Sequence, residues 1–312
     1  MSTESFADPI KTFYSNNPYP LEGNHYGYFR KFQYGAMKDM KPQLILDAGC
    51  GTGNLSHELA RAFPESKVVG LDFSEPSIAV AKSNYIRSNI EYHVANLEES
   101  LPMAEDRKAD LVYCQGVIHH LANPQVALTN IRNQMADNGK GFIWLYNPVG
   151  RRRISDVMAL SQILGDNGEV SGPTIDHCLA AEATLNKSSL AKKMEYFLYK
   201  VQSYGWQDIF FSIITHYKRK FSKKEQEHYI LNKMDDYMNP RAKFYTVKDA
   251  LALFDEAGFE VEQVLELDEL DIPSRYIASS IKEKQAMWLA KEIVYQPKGL
   301  TYVVKQKRVH TS

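Results

Sequence analysis

Asp47-Ala48-Gly49-Cys50-Gly51-Thr52-Gly53 stands between two contrasting sequence patterns. The run that leads into it, LILDAG from residue 44, is short and apolar, which is typical of a buried strand. The run that follows, NLSHELARAF from residue 54, has apolar residues near helical spacing. Glycine lets the backbone turn tightly and approach a ligand closely. The sequence therefore predicts a strand, a glycine-rich binding loop and a helix in succession.

Two common phosphate-binding loops do not fit this stretch. A dinucleotide-binding loop has the form G-x-G-x-x-G/A, and Asn54 occupies the last position of that pattern here. A P-loop needs Gly-Lys-Ser/Thr, which does not follow the glycines. The start of the helix offers N–H groups to an anion, whereas the carboxylate of Asp47 suits an ammonium group better than a phosphate.

Strand and helix patterns alternate on both sides of the loop and indicate βαβ units. We expect a doubly wound α/β fold with a mostly parallel, seven-stranded sheet. Within the second half, Thr246 and Gly258 are expected to begin and end one helix. Four parts are predicted: an N-terminal arm or lid (1–40), an α/β core (41–147), a helical insert after the fifth strand (148–240) and the rest of the core (241–312).

Composition narrows the class of protein. The chain has 312 residues, of which 44% are apolar and 24% charged, and its net charge is −1. This balance is that of an ordinary globular protein, and it argues against a general nucleic-acid-binding surface. No apolar run spans a membrane and no secretory signal is visible, so we expect a cytoplasmic protein. The isolated cysteines Cys50, Cys114 and Cys178 favour neither a disulfide framework nor a zinc cluster.

The glycine-rich stretch resembles motif I of the class I methyltransferases that use S-adenosylmethionine. The resemblance covers about residues 40–147 and 240–307, because later positions fall in register with the same family. It implies a cofactor site in which Asp72 binds the ribose hydroxyls and Phe73 lies against adenine. Where the family commonly has Asp, this chain has Asn96, whose amide oxygen can still accept a bond from the adenine amino group. The full set of cofactor contacts implied by the resemblance is Asp47, Gly49, Cys50, Gly51, Gly53, Asp72, Phe73, Asn96, Leu97 and, at the methionine end, Gln115.

His119 and His120 follow the fourth predicted strand and are the candidate catalytic residues. Methyl transfer from a sulfonium needs alignment of the acceptor, and a protonated acceptor also needs a general base. An imidazole titrates near neutrality and can take that proton. Adjacent residues point in different directions, so we expect one of the two to face the pocket; alternatively, both fix the loop by hydrogen bonds. No metal site is predicted.

Acceptor contacts are expected from three parts of the chain. The N-terminal arm contributes aromatic residues, and the end of the fifth strand and the return from the insert contribute polar ones. Arg151–Arg153 either bind an acceptor carboxylate or phosphate or form a solvated helix face. The predicted acceptor contacts are Tyr14, Tyr19, Tyr146, Asn147, Arg241 and Tyr245.

The leading functional hypothesis is a methyltransferase for a small-molecule N- or O-acceptor, enclosed by the core, the arm and the insert. A second hypothesis is modification of a protein or an RNA, because Lys218–Lys224 form a basic cluster around Phe221. A third is a scaffold that binds the cofactor without turnover. We expect neither a membrane partner nor, given the neutral charge, a nucleic-acid partner. The oligomeric state is open.

Overall fold

The computed structural model describes residues 9–16, 18–19, 33–102, 108–152, 154, 241–270 and 283–307. Their strands are β1 (Leu44–Ala48), β2 (Lys67–Asp72), β3 (Ile90–Val94), β4 (Ala109–Gln115), β5 (Met135–Tyr146), β6 (Phe259–Val264) and β7 (Gly299–Gln306). Their helices are α1 (Pro9–Asn16), α2 (Tyr34–Met37), α3 (Asn54–Ala62), α4 (Glu75–Asn84), α5 (Pro124–Asn133), α6 (Val247–Glu256), α7 (Leu265–Asp268) and α8 (Lys284–Tyr295). Ile118–His120 form a single 3₁₀ turn after β4.

Within the described residues, the strands form one seven-stranded sheet in the order β3-β2-β1-β4-β5-β7-β6. Six strands are parallel to one another, and β7 runs antiparallel to both of its neighbours, β5 and β6. The predicted fold class is therefore confirmed. The strand order reverses between β1 and β4, and in open α/β sheets ligands bind in the crevice at the carboxyl ends of the strands beside such a reversal.

The sheet is covered by helices on both faces. Ile45 packs on one side with residues of α2 and α3, whereas Leu46 packs on the other with residues of α5, α6 and α8. All five residues of β1 are buried, as expected for a central parallel strand. Each fully buried leucine or isoleucine contributes about 1.5–3 kcal/mol relative to exposure, so the two apolar layers hold the strand ends in fixed positions.

The ends of the helices follow from local chemistry. Thr246 and Asp249 form a reciprocal capping box at the start of α6, and Gly258, with φ +78°, follows its end, as predicted. Ser74 caps α4 by accepting a hydrogen bond from the Ser77 N–H. These caps satisfy backbone donors that the first turn of a helix leaves without partners.

The chain divides into two compact units, one of residues 1–152 and 240–312 and one of residues 153–239. The second unit compares with the predicted insert of 148–240 and, apart from residue 154, lies outside the described residues, as do the helices predicted for it. No helix in the described part of the chain is long and apolar enough to cross a membrane.

Candidate functional site

The loop between β1 and α3 depends on its glycines. Gly49, Gly51 and Gly53 all have positive φ, at +83°, +52° and +84°, which is a conformation that other residues rarely adopt. A Cβ on Gly49 would overlap the side chain of Val117, and one on Gly53 would lie 2.7 Å from the Cβ of Ala81. The backbone therefore follows a path that side chains would block.

Backbone hydrogen bonds tie this loop to the end of β2. The N–H groups of Gly49 and Cys50 both donate to the Leu71 carbonyl, at 2.7 and 2.8 Å, and the Gly51 N–H donates to a carboxylate oxygen of Asp72 at 2.9 Å. These three loop donors are therefore engaged within the protein. The loop instead positions an acid at the crevice.

Asp72 ends β2 and is held from two sides. Its Oδ2 accepts the Gly51 N–H and its Oδ1 accepts the Ser74 N–H, each at 2.9 Å. Burial raises the pKa of Asp72 to about 6, although these two hydrogen bonds act in the opposite direction. A carboxylate can accept about four hydrogen bonds, so both oxygens keep capacity for a ligand hydroxyl.

Asp47, at the same edge of the sheet, is almost completely buried. The Ser56 hydroxyl donates to its Oδ2 at 2.6 Å. Burial, together with the nearby charge of Asp72, raises the pKa of Asp47 to about 7, although the Ser56 hydrogen bond acts in the opposite direction. Ser56, one turn into α3, is a partner that sequence reasoning missed, although its helical spacing from the loop could have indicated it.

The raised pKa of Asp47 predicts that the stability of the folded protein depends on pH. Between about pH 4 and pH 7 the folded protein keeps a proton that the unfolded chain releases, so this group costs stability as pH rises. We expect Asp47→Asn to remove that cost. The thermal midpoint of the variant minus that of the wild type should become more positive from pH 5 to pH 8. At about 1.4 kcal/mol per pKa unit, the full effect is at most about 4 kcal/mol.

Circular dichroism melts at pH 5, 6.5 and 8 measure this difference. The matched control is Asp137→Asn, at an exposed carboxyl on β5, where the difference should not change with pH. An Asp47→Asn difference that is constant across the three pH values would contradict the assignment.

The residues predicted to contact adenine lie after β2 and β3. Phe73 is half-buried. The side chain of Asn96 accepts the Glu98 N–H and donates to Glu99, each at 3.0 Å, so it also organises its own turn. Leu97 is buried in the core, 4% exposed. Cys50 is buried as a small apolar residue, and burial raises the pKa of its thiol well above the ordinary value.

His120 is held in a defined orientation. Its Nδ1 lies 2.7 Å from the Arg241 carbonyl oxygen, and because a carbonyl only accepts, Nδ1 carries the proton and donates. In the neutral ring this assigns the lone pair to Nε2. The side chain is buried, and its ring centroid lies 6.0 Å from that of Tyr14.

His119 has a different environment. It is completely buried, and neither ring nitrogen has a hydrogen-bond partner among the described residues. Its ring stacks on Tyr146 with centroids 3.7 Å apart and planes 25° apart. Burial holds the pKa of His119 well below its usual range, and the neighbouring His120 and Arg151 act in the same direction. The ring is therefore neutral and packs as an aromatic side chain.

The polar end of β5 is strongly engaged within the protein. Asn147 is completely buried; its amide donates to Glu292 at 2.5 Å and accepts the Val149 N–H at 2.9 Å. Its neighbour Tyr146 is also buried, and its carbonyl accepts the Tyr245 N–H at 2.9 Å. Asn147 therefore joins the strand to α8, whereas Tyr245 remains half-buried beside it.

The arginines of the run Arg151–Arg153 have different environments in the structure. Arg151 is buried, donates from Nε to the Lys298 carbonyl at 2.9 Å and places its guanidinium carbon 3.5 Å from the ring centroid of Tyr146. Arg152 is exposed. Arg153 lies outside the described residues, as do Lys218–Lys224. For Arg151, the solvated helix face that was one alternative is wrong.

The N-terminal arm reaches this edge of the sheet through Tyr14. Its ring lies 6.3 Å from that of Phe73 and 6.0 Å from that of His120, measured between centroids. The Ser74 hydroxyl donates to the Tyr14 carbonyl at 3.3 Å. Tyr14 thus joins the predicted adenine and base positions, while Tyr19 is half-buried.

Comparison with known proteins finds a methyltransferase domain in this chain. Residues 41–163 match a family model described as a methyltransferase domain. Over 176 residues the chain is 29% identical to an uncharacterized protein of Synechococcus sp., covering 51% of this chain and 42% of that one. It is 25% identical over 130 residues to a malonyl-[acyl-carrier protein] O-methyltransferase of Bacillus cereus, covering 42% of this chain and 46% of the relative. The matches thus span less than half the length of these two curated relatives.

The fold is similar to that of solved structures. The structure of PKMT2 from Rickettsia typhi aligns with a TM-score of 0.60 at 15% identity, covering 97% of this chain and 53% of that one. At this identity the likeness concerns the fold alone. The match to a methyltransferase domain covers residues 41–163. The sheet order, and the glycine loop with an acid at the end of β2, resemble those of the class I methyltransferases that use S-adenosylmethionine.

Proposed function

We propose that this chain is an enzyme that transfers the methyl group of S-adenosylmethionine to a nitrogen or oxygen atom of a small molecule. One observation carries the proposal. The Asp72 carboxylate is fixed by the Gly51 and Ser74 N–H groups, and the Ser74 hydroxyl donates to the Tyr14 carbonyl. The imidazole of His120 is fixed by the Arg241 carbonyl, and its ring centroid lies 6.0 Å from that of Tyr14. Asp72, the candidate contact for the ribose, and His120, the candidate base, therefore both lie in the neighbourhood of Tyr14.

The cofactor would lie across the carboxyl ends of β2, β1 and β4. Its ribose hydroxyls would donate to Asp72, whose two oxygens keep acceptor capacity beside their backbone donors. Phe73 would pack against the adenine, with Asn96 at its polar edge. Asp47 and Gln115, at the ends of neighbouring strands, are the acceptors available for the ammonium of the methionine part.

The sulfonium supplies an activated methyl group, so the chain's residues need to align the acceptor and manage its proton. His120 is the base in this proposal, because Nδ1 donates to a carbonyl and the Nε2 lone pair can accept a proton. The buried neutral ring of His119 supports Tyr146 instead. An acceptor close to His120 would be covered by Tyr14, which would exclude competing water.

An oxygen acceptor is supported by the relatives, since a curated one is named as a malonyl-[acyl-carrier protein] O-methyltransferase. The alternative acceptors, a protein or an RNA, depended on the basic cluster Lys218–Lys224, which lies outside the described residues. Incubation with S-adenosylmethionine and panels of small phenols, alcohols, carboxylic acids and amines, with S-adenosylhomocysteine formation as the readout, tests the proposal.

Loss of the Asp72 carboxylate should weaken cofactor binding. Hydrogen bonds to a charged group contribute about 1.5–3 kcal/mol, so Asp72→Ala should bind S-adenosylhomocysteine at least about tenfold more weakly in calorimetry. The matched control is Asp110→Ala, because Asp110 also accepts two backbone N–H groups, from Gln43 and Leu44, but at the opposite edge of the sheet. That variant should keep wild-type affinity.

Two outcomes would contradict these assignments. Equal affinity in the wild type and Asp72→Ala would remove the ribose contact. Binding of NAD in preference to S-adenosylhomocysteine by the wild type would overturn the cofactor itself.

A further inference from the structure

Two hydrogen bonds from one lysine reach the turn that carries the candidate base. The Lys243 N–H donates to the His119 carbonyl at 2.8 Å, and the Lys243 ammonium donates to the Ala122 carbonyl at 3.1 Å. His120 lies between these two acceptors in the sequence. One residue therefore holds the backbone on both sides of His120.

The turn depends on donors from outside because it is short. Ile118–His120 form a single 3₁₀ turn, whose own hydrogen bonds are donated by the N–H groups of His120 and Leu121. The carbonyls at the end of a helical turn have no partner within it. The His119 carbonyl is one of these, and the Lys243 N–H satisfies it.

The return segment, residues 241–245, is itself fixed to the end of β5. The Tyr245 N–H donates to the Tyr146 carbonyl at 2.9 Å, and the Asn147 side chain donates to the Tyr245 carbonyl at 3.3 Å. Asn147 is completely buried, so this attachment is firm. Lys243 lies two residues before Tyr245, and its bonds to the turn therefore begin from a fixed position.

The ring of His120 contacts the other end of the return segment. Its Nδ1 donates to the Arg241 carbonyl at 2.7 Å. A hydrogen bond weakens steeply when its donor and acceptor move apart or out of line. The turn and the return segment must therefore keep a fixed separation, and the two bonds from Lys243 set it.

We propose that Lys243 is a positioning residue for methyl transfer, which holds this turn so that His120 keeps its hydrogen bond to the Arg241 carbonyl. The inference rests on the proposed function, in which His120 is the base. Lys243 is exposed and acts only through His120. A displacement of about 1 Å can lower the rate of a reaction about 10²-fold, so a small shift of the turn affects turnover.

Removing only the ammonium of Lys243 tests this role. Lys243→Met keeps the backbone N–H and an unbranched stem. We expect its single-turnover rate to fall about tenfold, while its affinity for S-adenosylhomocysteine stays within about twofold of wild type. Lys243→Arg keeps a cationic donor, so its rate should stay within about twofold of wild type.

The matched control is Lys108→Met. The Lys108 ammonium also donates to a backbone carbonyl, that of Asn133, at 2.7 Å. It lies just before β4, however, whereas His120 follows the opposite end of that strand. This variant loses the same kind of bond and should keep the wild-type rate.

The ring of His120 supplies a second readout that needs neither acceptor nor cofactor. In protein with ¹⁵N-labelled histidine at about pH 8.5, where imidazoles in general are neutral, long-range NMR correlations show which ring nitrogen carries the proton. The wild type should carry it on Nδ1 of His120, and Lys243→Met should show a larger share on Nε2. The signal missing from His120→Ala assigns the residue.

The two readouts fail separately. Wild-type spectra and rates in Lys243→Met, an equal loss of rate in Lys108→Met, or no recovery in Lys243→Arg would overturn the positioning role. If the spectrum of Lys243→Met changes while His120→Ala keeps near-normal turnover, the base assignment in the proposed function is wrong and the orienting contact stands.

Discussion

With His120 replaced by alanine, the chain should transfer methyl groups about 10²–10⁴-fold more slowly, the usual loss when a general base is removed. The Nε2 lone pair is the group lost, and the Arg241 carbonyl that orients it is left without its donor. Affinity for S-adenosylhomocysteine should stay close to wild type, because the base contacts the acceptor. Single-turnover rates with an acceptor found by the panel assay measure the effect where chemistry limits the rate.

His119 is the natural control for this experiment, because it is the adjacent residue and also a buried imidazole. His119→Ala removes a ring that stacks on Tyr146 and leaves a cavity, so the thermal midpoint should fall while the single-turnover rate changes little. Near-normal turnover in both variants would show that catalysis rests on alignment alone and that the acceptor arrives unprotonated.

Gly49→Ala should cause the largest loss of stability among substitutions in the glycine loop. Alanine at φ +83° carries a conformational cost of about 1–2 kcal/mol, and its methyl group would overlap Val117, which adds about 1–3 kcal/mol. Urea unfolding should therefore show a loss of roughly 2–5 kcal/mol. Binding of S-adenosylhomocysteine should fall sharply as the loop is displaced.

Substitution of Gly116 separates the conformational cost of a positive φ from the cost of the overlap with Val117. The φ of Gly116, +74°, is close to that of Gly49. Among the described residues other than its two chain neighbours, no atom lies within 4 Å of the position its Cβ would occupy. Gly116→Ala should therefore show the conformational cost alone. Equal losses in the two variants would mean that the contact with Val117 does not constrain the loop.

Local patterns in the sequence were enough to predict the sheet and the ends of its first two strands. The glycine loop and Asp72 each follow a short apolar strand, and because parallel strands end at the same edge of a sheet, the two lie close together. Thr246 and Gly258 mark their helix ends by chemistry within a few residues. The seven-stranded fold depends on many such local signals, which reinforce one another.

What the sequence did not predict depends on partners far along the chain. The run FEVEQVLEL continues a strand pattern, yet β6 ends at Val264. Asp268 accepts the Val264 N–H at 3.1 Å and the Trp288 indole N–H at 2.7 Å, which stabilises a helical turn instead. Asn147 was predicted to contact an acceptor, but its amide meets Glu292, 145 residues away.

The two histidines show the same limit at the site itself. The spacing of the residues does not distinguish His119 from His120, because both follow the same strand; only the family resemblance favours His120. The difference comes from two contacts. The Arg241 carbonyl, 121 residues further along the chain, accepts a hydrogen bond from His120, and the ring of His119 stacks on that of Tyr146. Buried Gln33 is a similar case, since its partners Tyr113 and Thr301 are 80 and 268 residues away.

The position of β7 has a consequence for how the chain folds as it is synthesised. This strand is the last described element in the sequence, yet it lies between β5 and β6 and is the neighbour that joins β6 to the sheet. Until it emerges from the ribosome, β5 keeps an open edge and β6 has no strand partner. Such pairings between distant segments form slowly, and open strand edges associate with other chains. The nascent chain therefore passes through an interval in which the edge of β5 and the whole of β6 are open to pairing with other chains, and that interval ends when β7 inserts.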